Sequence, residues 1–398
     1  MFAPVGKVTH WMVRRARASS AIRCQPRGGC MVDRSLWLAV VLGFWATACS
    51  SSPTAGWRDA AGHPDDATAG DGAATDGGAT PDALALDGAS PGDAGPDAAA
   101  AHARDWTSAP PIVEVDTAAD VYALGDVHGD YQRMVGLLVG AGLVGAPAQP
   151  TDAQWLAGTA TLVCTGDLID KWVQALDVIA YLAALRTAAA GAGGRVIVTM
   201  GNHEAAFLAD PTNPKVVDFV GELQAAGLVP AEVAAGHGPV GTFLRDLPFA
   251  ARVNDWFFVH AGNTGGENLT QLETDMVAGV DAAGFGAPVL AASTSLLESD
   301  APWWELSGLA PEAVLVSYGT ALGVQHIVQG HRPGKIQFSD GTVRPKGVMY
   351  QKFGRIFLID VGMSQGVDDS TGALLHLHGT GPSSASIIYP DGTTDPLW

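Results

Sequence analysis

The sequence predicts an α/β layered domain behind a long segment that cannot fold by burial, and three observations carry this reading. From residue 109 onward, short apolar runs of strand length alternate with stretches of helical periodicity. Five of the apolar runs stop at turns that carry Asp, Asn or His. Between residues 50 and 108, Ala, Gly, Asp, Pro, Ser and Thr dominate without hydrophobic periodicity, so too little apolar surface is available to offset the entropy of ordering.

Within 109–398, Ile112–Val115 and Val121–Leu124 read as the first strands. Tyr131–Val144 reads as an amphipathic helix, with Met134, Leu137, Leu138 and Val144 as its apolar positions. Thr161–Cys164 is a strand, followed by a helix from about Val173 to Ala190 that the next glycines close. Arg195–Met200 is a further strand. Residues 205–250 read as mainly helical, with Val216, Val217, Phe219, Val220 and Leu223 in one stretch. Trp256–Val259 and His326–Gln329 are buried strands, separated by a polar and helical excursion to about Gly319. Val348–Tyr350, Arg355–Asp360, Ala373–Leu377 and Ser386–Tyr389 complete the chain. His376 and His378, two apart on one of these strands, read as sheet-face residues rather than ligands.

Charge and cysteine usage exclude some functions. Residues 1–48 hold seven Lys+Arg and one Asp, so the total of −19 leaves −25 for the remainder. Such a body is repelled by nucleic acid and by anionic lipid, and no nucleic-acid partner is expected. Three of the four cysteines (Cys24, Cys30 and Cys49) precede the folded part, and Cys164 alone lies within it, which argues against a disulfide framework.

Ser35–Ala48 is uncharged, largely apolar and short for a membrane span, as in a signal-peptide core. Ala46-Thr47-Ala48-Cys49 resembles a bacterial lipobox, whose cysteine is lipidated. The expected organisation is a signal and lipobox over 1–49, an acidic tether over 50–108 and a domain over 109–398, anchored to the cell envelope through Cys49 and facing the periplasm or the surface. Met31 is a more usual start for such a signal, making residues 1–30 an over-called start or an extended basic leader.

The polar strand ends each have a plain reading when taken singly. Asn202 suits a turn with positive φ, His260 suits a satisfied core position, and Asp170 suits a helix N-cap. Together they deliver Asp126 and His128, then Asp167, then Asn202 and His203, then His260, then His331. Accident at five separate strand ends is a poor account, because open α/β sheets bind ligands at their carboxyl ends.

The blocks Asp126-Val127-His128-Gly129, Gly166-Asp167-Leu168-Ile169-Asp170 and Gly201-Asn202-His203-Glu204, with Val259-His260-Ala261-Gly262 and Gly330-His331, resemble the calcineurin-like metallophosphoesterase superfamily. Residues 355–364 resemble the closing strand of its bacterial, Shewanella-like phosphatase group. The resemblance implies a four-layer αββα sandwich and two divalent cations (Mn, Fe or Zn) that clamp a phosphate ester and activate water. It implies that Asp126 and His128 bind the first cation, that Asp167 bridges, and that Asn202, His260 and His331 complete the second site. It also implies that His203 is the general acid, oriented by Asp170. The implied activity is phosphomonoester hydrolysis, with phosphoproteins as a candidate substrate. The alternatives are a dinucleoside polyphosphate or small phosphate-ester hydrolase and, from another class, a catalytically weak metal- or phosphate-binding surface lipoprotein.

The chain departs from the pattern at the substrate clamp. Relatives have Asp-Arg-Gly where this chain has Asp170-Lys171-Trp172, and the Trp303-Trp304 segment lacks a second Arg. Lys keeps the charge but not the two-pronged hydrogen bonding of Arg. Lys171 and Arg332 are therefore the expected phosphate contacts.

Overall fold

A computed structural model describes residues 104–368, 370–378 and 384–398. The signal segment, Cys49 and the tether up to residue 103 lie outside the described residues. In chain order the elements begin β1 Ile112–Val115, β2 Val121–Leu124, α1 Tyr131–Gly140, β3 Thr161–Cys164, α2 Ala175–Gly191, β4 Arg195–Val198 and α3 Asn202–Ala209. They continue with α4 Val217–Ala225, α5 Pro230–Ala234, α6 Gly238–Arg245, β5 Ala250–Val253, β6 Trp256–Val259, α7 Leu269–Ala283, α8 Pro288–Ala291, α9 Pro311–Leu322 and β7 His326–Gln329. The last are β8 Ile336–Gln337, β9 Val343–Arg344, β10 Tyr350–Lys352, β11 Ile356–Leu358, β12 Leu374–Leu377, β13 Ala385–Ile388 and β14 Thr394–Pro396.

Two six-stranded mixed sheets form the frame, as the α/β reading expects. One has the order β1-β5-β6-β7-β11-β10 and the other β14-β13-β12-β2-β3-β4. In the second, β2, β3 and β4 run parallel and β12 runs antiparallel beside β2. In the first, β6, β7 and β11 run parallel. Every residue of β3, β6 and β7 is buried, so these strands do not alternate apolar and polar residues; β6 is apolar throughout, β3 opens with Thr161, and β7 places the buried His326 and Gln329 at its two ends. Phe257, Phe258, Phe357 and Trp304 are fully buried among them, and truncating any one to Ala costs about 3–5 kcal/mol in cores of this kind.

The structure adjusts several sequence-based boundaries. α1 stops at Gly140 and not Val144, because Gly142 turns the chain at φ 72° and Val144 instead bridges to Trp155. α2 starts at Ala175, leaving Val173 exposed. The helical reading of 205–250 ends in an unforeseen strand, β5, which pairs with β1 on one side and β6 on the other. Asn254 at φ 55° makes the turn between β5 and β6.

Candidate metal centre

The carboxyl ends of β2, β3, β4, β6 and β7 converge on one buried cluster. Backbone bonds lace the first two turns together: the N–H groups of Val127 and His128 both reach the carbonyl of Asp167, at 3.0 and 2.8 Å. His128, Asp167, Asp170 and His331 all have left-handed backbones, with φ of 43°, 49°, 63° and 67°. For non-glycine residues this costs of order 1 kcal/mol each, and such strain concentrates at functional sites. Glycine is required beside them. A Cβ at Gly201 would strike Asp167 Oδ1, and one at Gly330 would strike Asp126 Oδ1.

Two histidines are aimed by backbone carbonyls. His128 Nδ1 lies 3.1 Å from Ile169 O, and His260 Nδ1 lies 2.9 Å from Thr165 O. A carbonyl only accepts, so each Nδ1 carries a proton and each Nε2 is the atom left to face the cluster. Those Nε2 atoms face Asp167 Oδ2, at 3.5 Å from His128 and 3.4 Å from His260. Both Nε2 atoms are turned onto one buried carboxylate, and a carbonyl-anchored imidazole beside a carboxylate is the arrangement of a metal ligand. The donor set therefore fits divalent cations.

The grouping of ligands is specific. One ligating atom each from His128, Asp167 and His203 lie within 4.8 Å of one another, and so do those of Asp167, His260 and His331. Asp167 is common to both groups. His331 Nδ1 is 3.1 Å from His260 Nε2, and Asn202 Oδ1 is 3.2 Å from the same nitrogen. Asp126 stands to one side: its Oδ1 is 4.0 Å from His260 Nδ1, and both of its oxygens accept the His331 N–H.

The field is that of crowded buried acids. Burial and the neighbouring Asp360 push Asp126 well above the usual carboxylate range, and burial raises Asp360 to about 6. Burial also opposes ionisation of Asp167, but His260, His203 and His128 outweigh it and hold Asp167 well below that range. Burial lowers His128 to about 4 and, with the charge on His260, lowers His331 to about 3. His260 goes the other way, to about 10, because Asp167 and Asp126 overcome its burial. The cluster thus draws one positive charge into itself.

His203 Nδ1 is 3.5 Å from Asp170 Oδ2, and neither atom has a hydrogen-bond partner among the described residues. The other oxygen, Asp170 Oδ1, accepts the N–H groups of Asp218 and Phe219 at 2.9 and 3.2 Å. Asp170 therefore caps a helix, but that helix is α4 and not the α2 that follows it, whose N-cap is Gln174.

Several residues around the centre were not assigned roles by sequence reasoning. The buried Glu204 carboxylate accepts four backbone N–H groups, from Asp167, Leu168, Ile169 and Gly201, at 2.9, 2.7, 3.2 and 2.8 Å. Lys215 Nζ is 2.6 Å from Glu298 Oε1, and Glu298 Oε2 accepts Asn202 Nδ2 at 3.0 Å. The buried Arg344 guanidinium holds the backbone carbonyls of Arg332 and Asp360. The two expected phosphate contacts are peripheral. Lys171 is exposed, with its backbone packed against Gly366. Arg332 is half-buried, with Nη1 2.6 Å from Asp300 Oδ1. Lys215 and Arg332 both lower His331 by their charge, Lys215 the more strongly.

The calcineurin-like phosphoesterase family model matches residues 119–334, more than half of the chain. The Shewanella-like protein phosphatase 2 of Arabidopsis thaliana is 32% identical over 82 residues, covering 21% of this chain and 20% of its own. The Shewanella-like protein phosphatase 1 of Plasmodium berghei is 28% identical over 145 residues, covering 36% and 38%. The chain therefore spans about a fifth to two fifths of the length of these curated relatives. Among solved structures, the cold-active protein-tyrosine phosphatase of a psychrophilic Shewanella species superposes with a TM-score of 0.58 over 73% of this chain and 82% of its own, at 22% identity. That likeness is one of fold.

Proposed function

The chain belongs to the calcineurin-like phosphoesterase family, and from that premise we propose that it hydrolyses phosphate monoesters with two divalent cations, phosphoproteins being the candidate substrate class. The observation that carries the proposal is Asp167, one carboxylate shared by two groups of buried imidazoles. Asp126, His128 and Asp167 would hold one cation, with His203 beside them. Asp167, His260, His331 and Asn202 would hold the other. Cations bound there supply Lewis acidity toward the phosphate oxygens and toward water.

The remaining roles fall to the chain's own atoms. Asp170 Oδ2 faces His203 Nδ1 and favours a proton there, leaving Nε2 to donate to the departing oxygen. Asp170 is a positioning residue, itself fixed by the first turn of α4. Lys215, beside His331, supplies positive charge for the phosphate where the arginines are missing, and Arg332 and Lys171 add to it from the rim. The support for Lys215 is its bond to Glu298, which also orients Asn202.

The experiment is metal-dependent hydrolysis of a generic aryl phosphate, with Asp167→Asn and His203→Ala as controls, followed by phosphopeptides and nucleotides. Turnover lost in both variants is the expected result. A metal-loaded wild-type protein without turnover would overturn the proposal in favour of a binding protein. Envelope anchoring through Cys49 is proposed on sequence grounds alone. A mature protein that fractionates as soluble and lacks lipid on Cys49 would refute it. Among the described residues, no helix is long and apolar enough to cross a membrane.

A further inference from the structure

A second set of ligating side chains lies at the other end of β2. Asp120 immediately precedes β2, His376 lies in β12 and His378 follows it. The strands are antiparallel, with His376 opposite Tyr122 and Leu377 opposite Val121. Alternation puts His376, Tyr122 and, two pairs further along, His378 and Asp120 on a single face.

The placement is built. The His376 ring stacks on Tyr122, with centroids 4.5 Å apart and planes within 9°. Its Nε2 lies 3.0 Å from Asp120 Oδ2. The His378 ring stands 4.2 Å from the His376 ring at 61°, so the two do not stack on each other. One ligating atom from each of the three residues lies within 4.8 Å of the others. Asp120 and His376 are half-buried and His378 is exposed, so solvent has access to complete a coordination shell.

We propose that Asp120, His376 and His378 form a peripheral site for a borderline divalent cation of the Zn²⁺ class. Two imidazoles and one carboxylate suit Zn²⁺, Ni²⁺ or Cu²⁺ and not Ca²⁺ or Mg²⁺, which take oxygen shells. Water fills the remaining positions. Asp126 follows Asp120 by six positions across the four-residue strand β2, about 20 Å at strand rise, so the site is independent of the catalytic centre and of the function proposed for it. A bound ion pins β12 to β2.

The test is equilibrium dialysis of the full chain against buffered Zn²⁺, with metal analysis, for wild type, His378→Gln and His376→Gln. Wild type is expected to bind one more equivalent than either variant at low micromolar free Zn²⁺. Affinity for that equivalent should fall at least about tenfold on loss of a ligand, with aryl-phosphate turnover unchanged. His378 is exposed, so its variant folds as wild type and keeps the test decisive. Equal stoichiometry and equal affinity in wild type and His378→Gln would overturn the proposal.

Discussion

Glu204 and Asp167 are tied in two directions. Glu204 Oε2 accepts the Asp167 N–H at 2.9 Å, while the neighbouring His203 N–H is donated back to Asp167 Oδ1 at 3.1 Å. The turns after β3 and β4 are thereby fixed against one another, and the Asp167 carboxylate has little freedom to rotate. Glu204→Gln removes one of two oxygens that each accept two N–H groups. Stranding two buried donors costs roughly 2–4 kcal/mol. Urea unfolding of the metal-free variant should show that loss, and a midpoint equal to wild type would refute the role given to Glu204.

Cation binding should stabilise the fold through the same carboxylate. Mn²⁺ at about 100 times its dissociation constant adds about 2.7 kcal/mol to any protein that binds it only when folded. Thermal melts with and without chelator should show this stabilisation in wild type and little of it in Asp167→Asn. Equal stabilisation of the two would show that Asp167 is not the common ligand.

Lys215 and Arg332 should separate in substrate binding. Both charges reach His331, that of Lys215 more strongly. Lys215→Met is expected to raise KM for an aryl phosphate about tenfold, the equivalent of about 1.4 kcal/mol. Arg332→Ala should raise it about threefold, with kcat little changed in both. The reverse order in steady-state kinetics would return the clamp to Arg332.

His326 should make the fold sensitive to mild acid. Its ring stacks on Trp256 at 4.0 Å and meets Trp398 at 4.8 Å, and its Nδ1 donates to Gly354 O at 2.6 Å. Burial lowers its pKa from 6.5 despite that hydrogen bond. A histidine lowered on folding contributes stability above its unfolded value and loses it as pH falls through that value toward the folded one. Urea midpoints should drop between pH 7 and 5 by more in wild type than in His326→Phe. Parallel pH dependences would show that another group is responsible.

Much of the centre was legible because its residues sit in contiguous blocks whose chemistry is visible locally. Asp126 and His128, or Asn202 and His203, announce themselves by type and by the apolar run before them. What could not be read is what distant segments supply. Lys215 and Glu298 are 83 residues apart and meet only through packing. Asp170 reads as a cap for the next helix, but the helix it caps starts over forty residues later, and no local signal says which turn will face it. β5 was missed because Ala250-Ala251-Arg252-Val253 has neither alternation nor β-branched density, and its place is set by β1 and β6 on either side.

The pairing of β2 with β12 also sets a timetable. Leu124, two residues before the first candidate ligand, is laid against Leu374. Their separation of 250 residues takes about 12–50 s to synthesise at ordinary ribosomal rates of roughly 5–20 residues per second. For that interval the strand that presents Asp126 has β3 available on one flank and an open edge on the other. A growing chain is therefore exposed to wrong pairing at the edge beside its own centre, and the centre is sealed only when almost the last strand arrives.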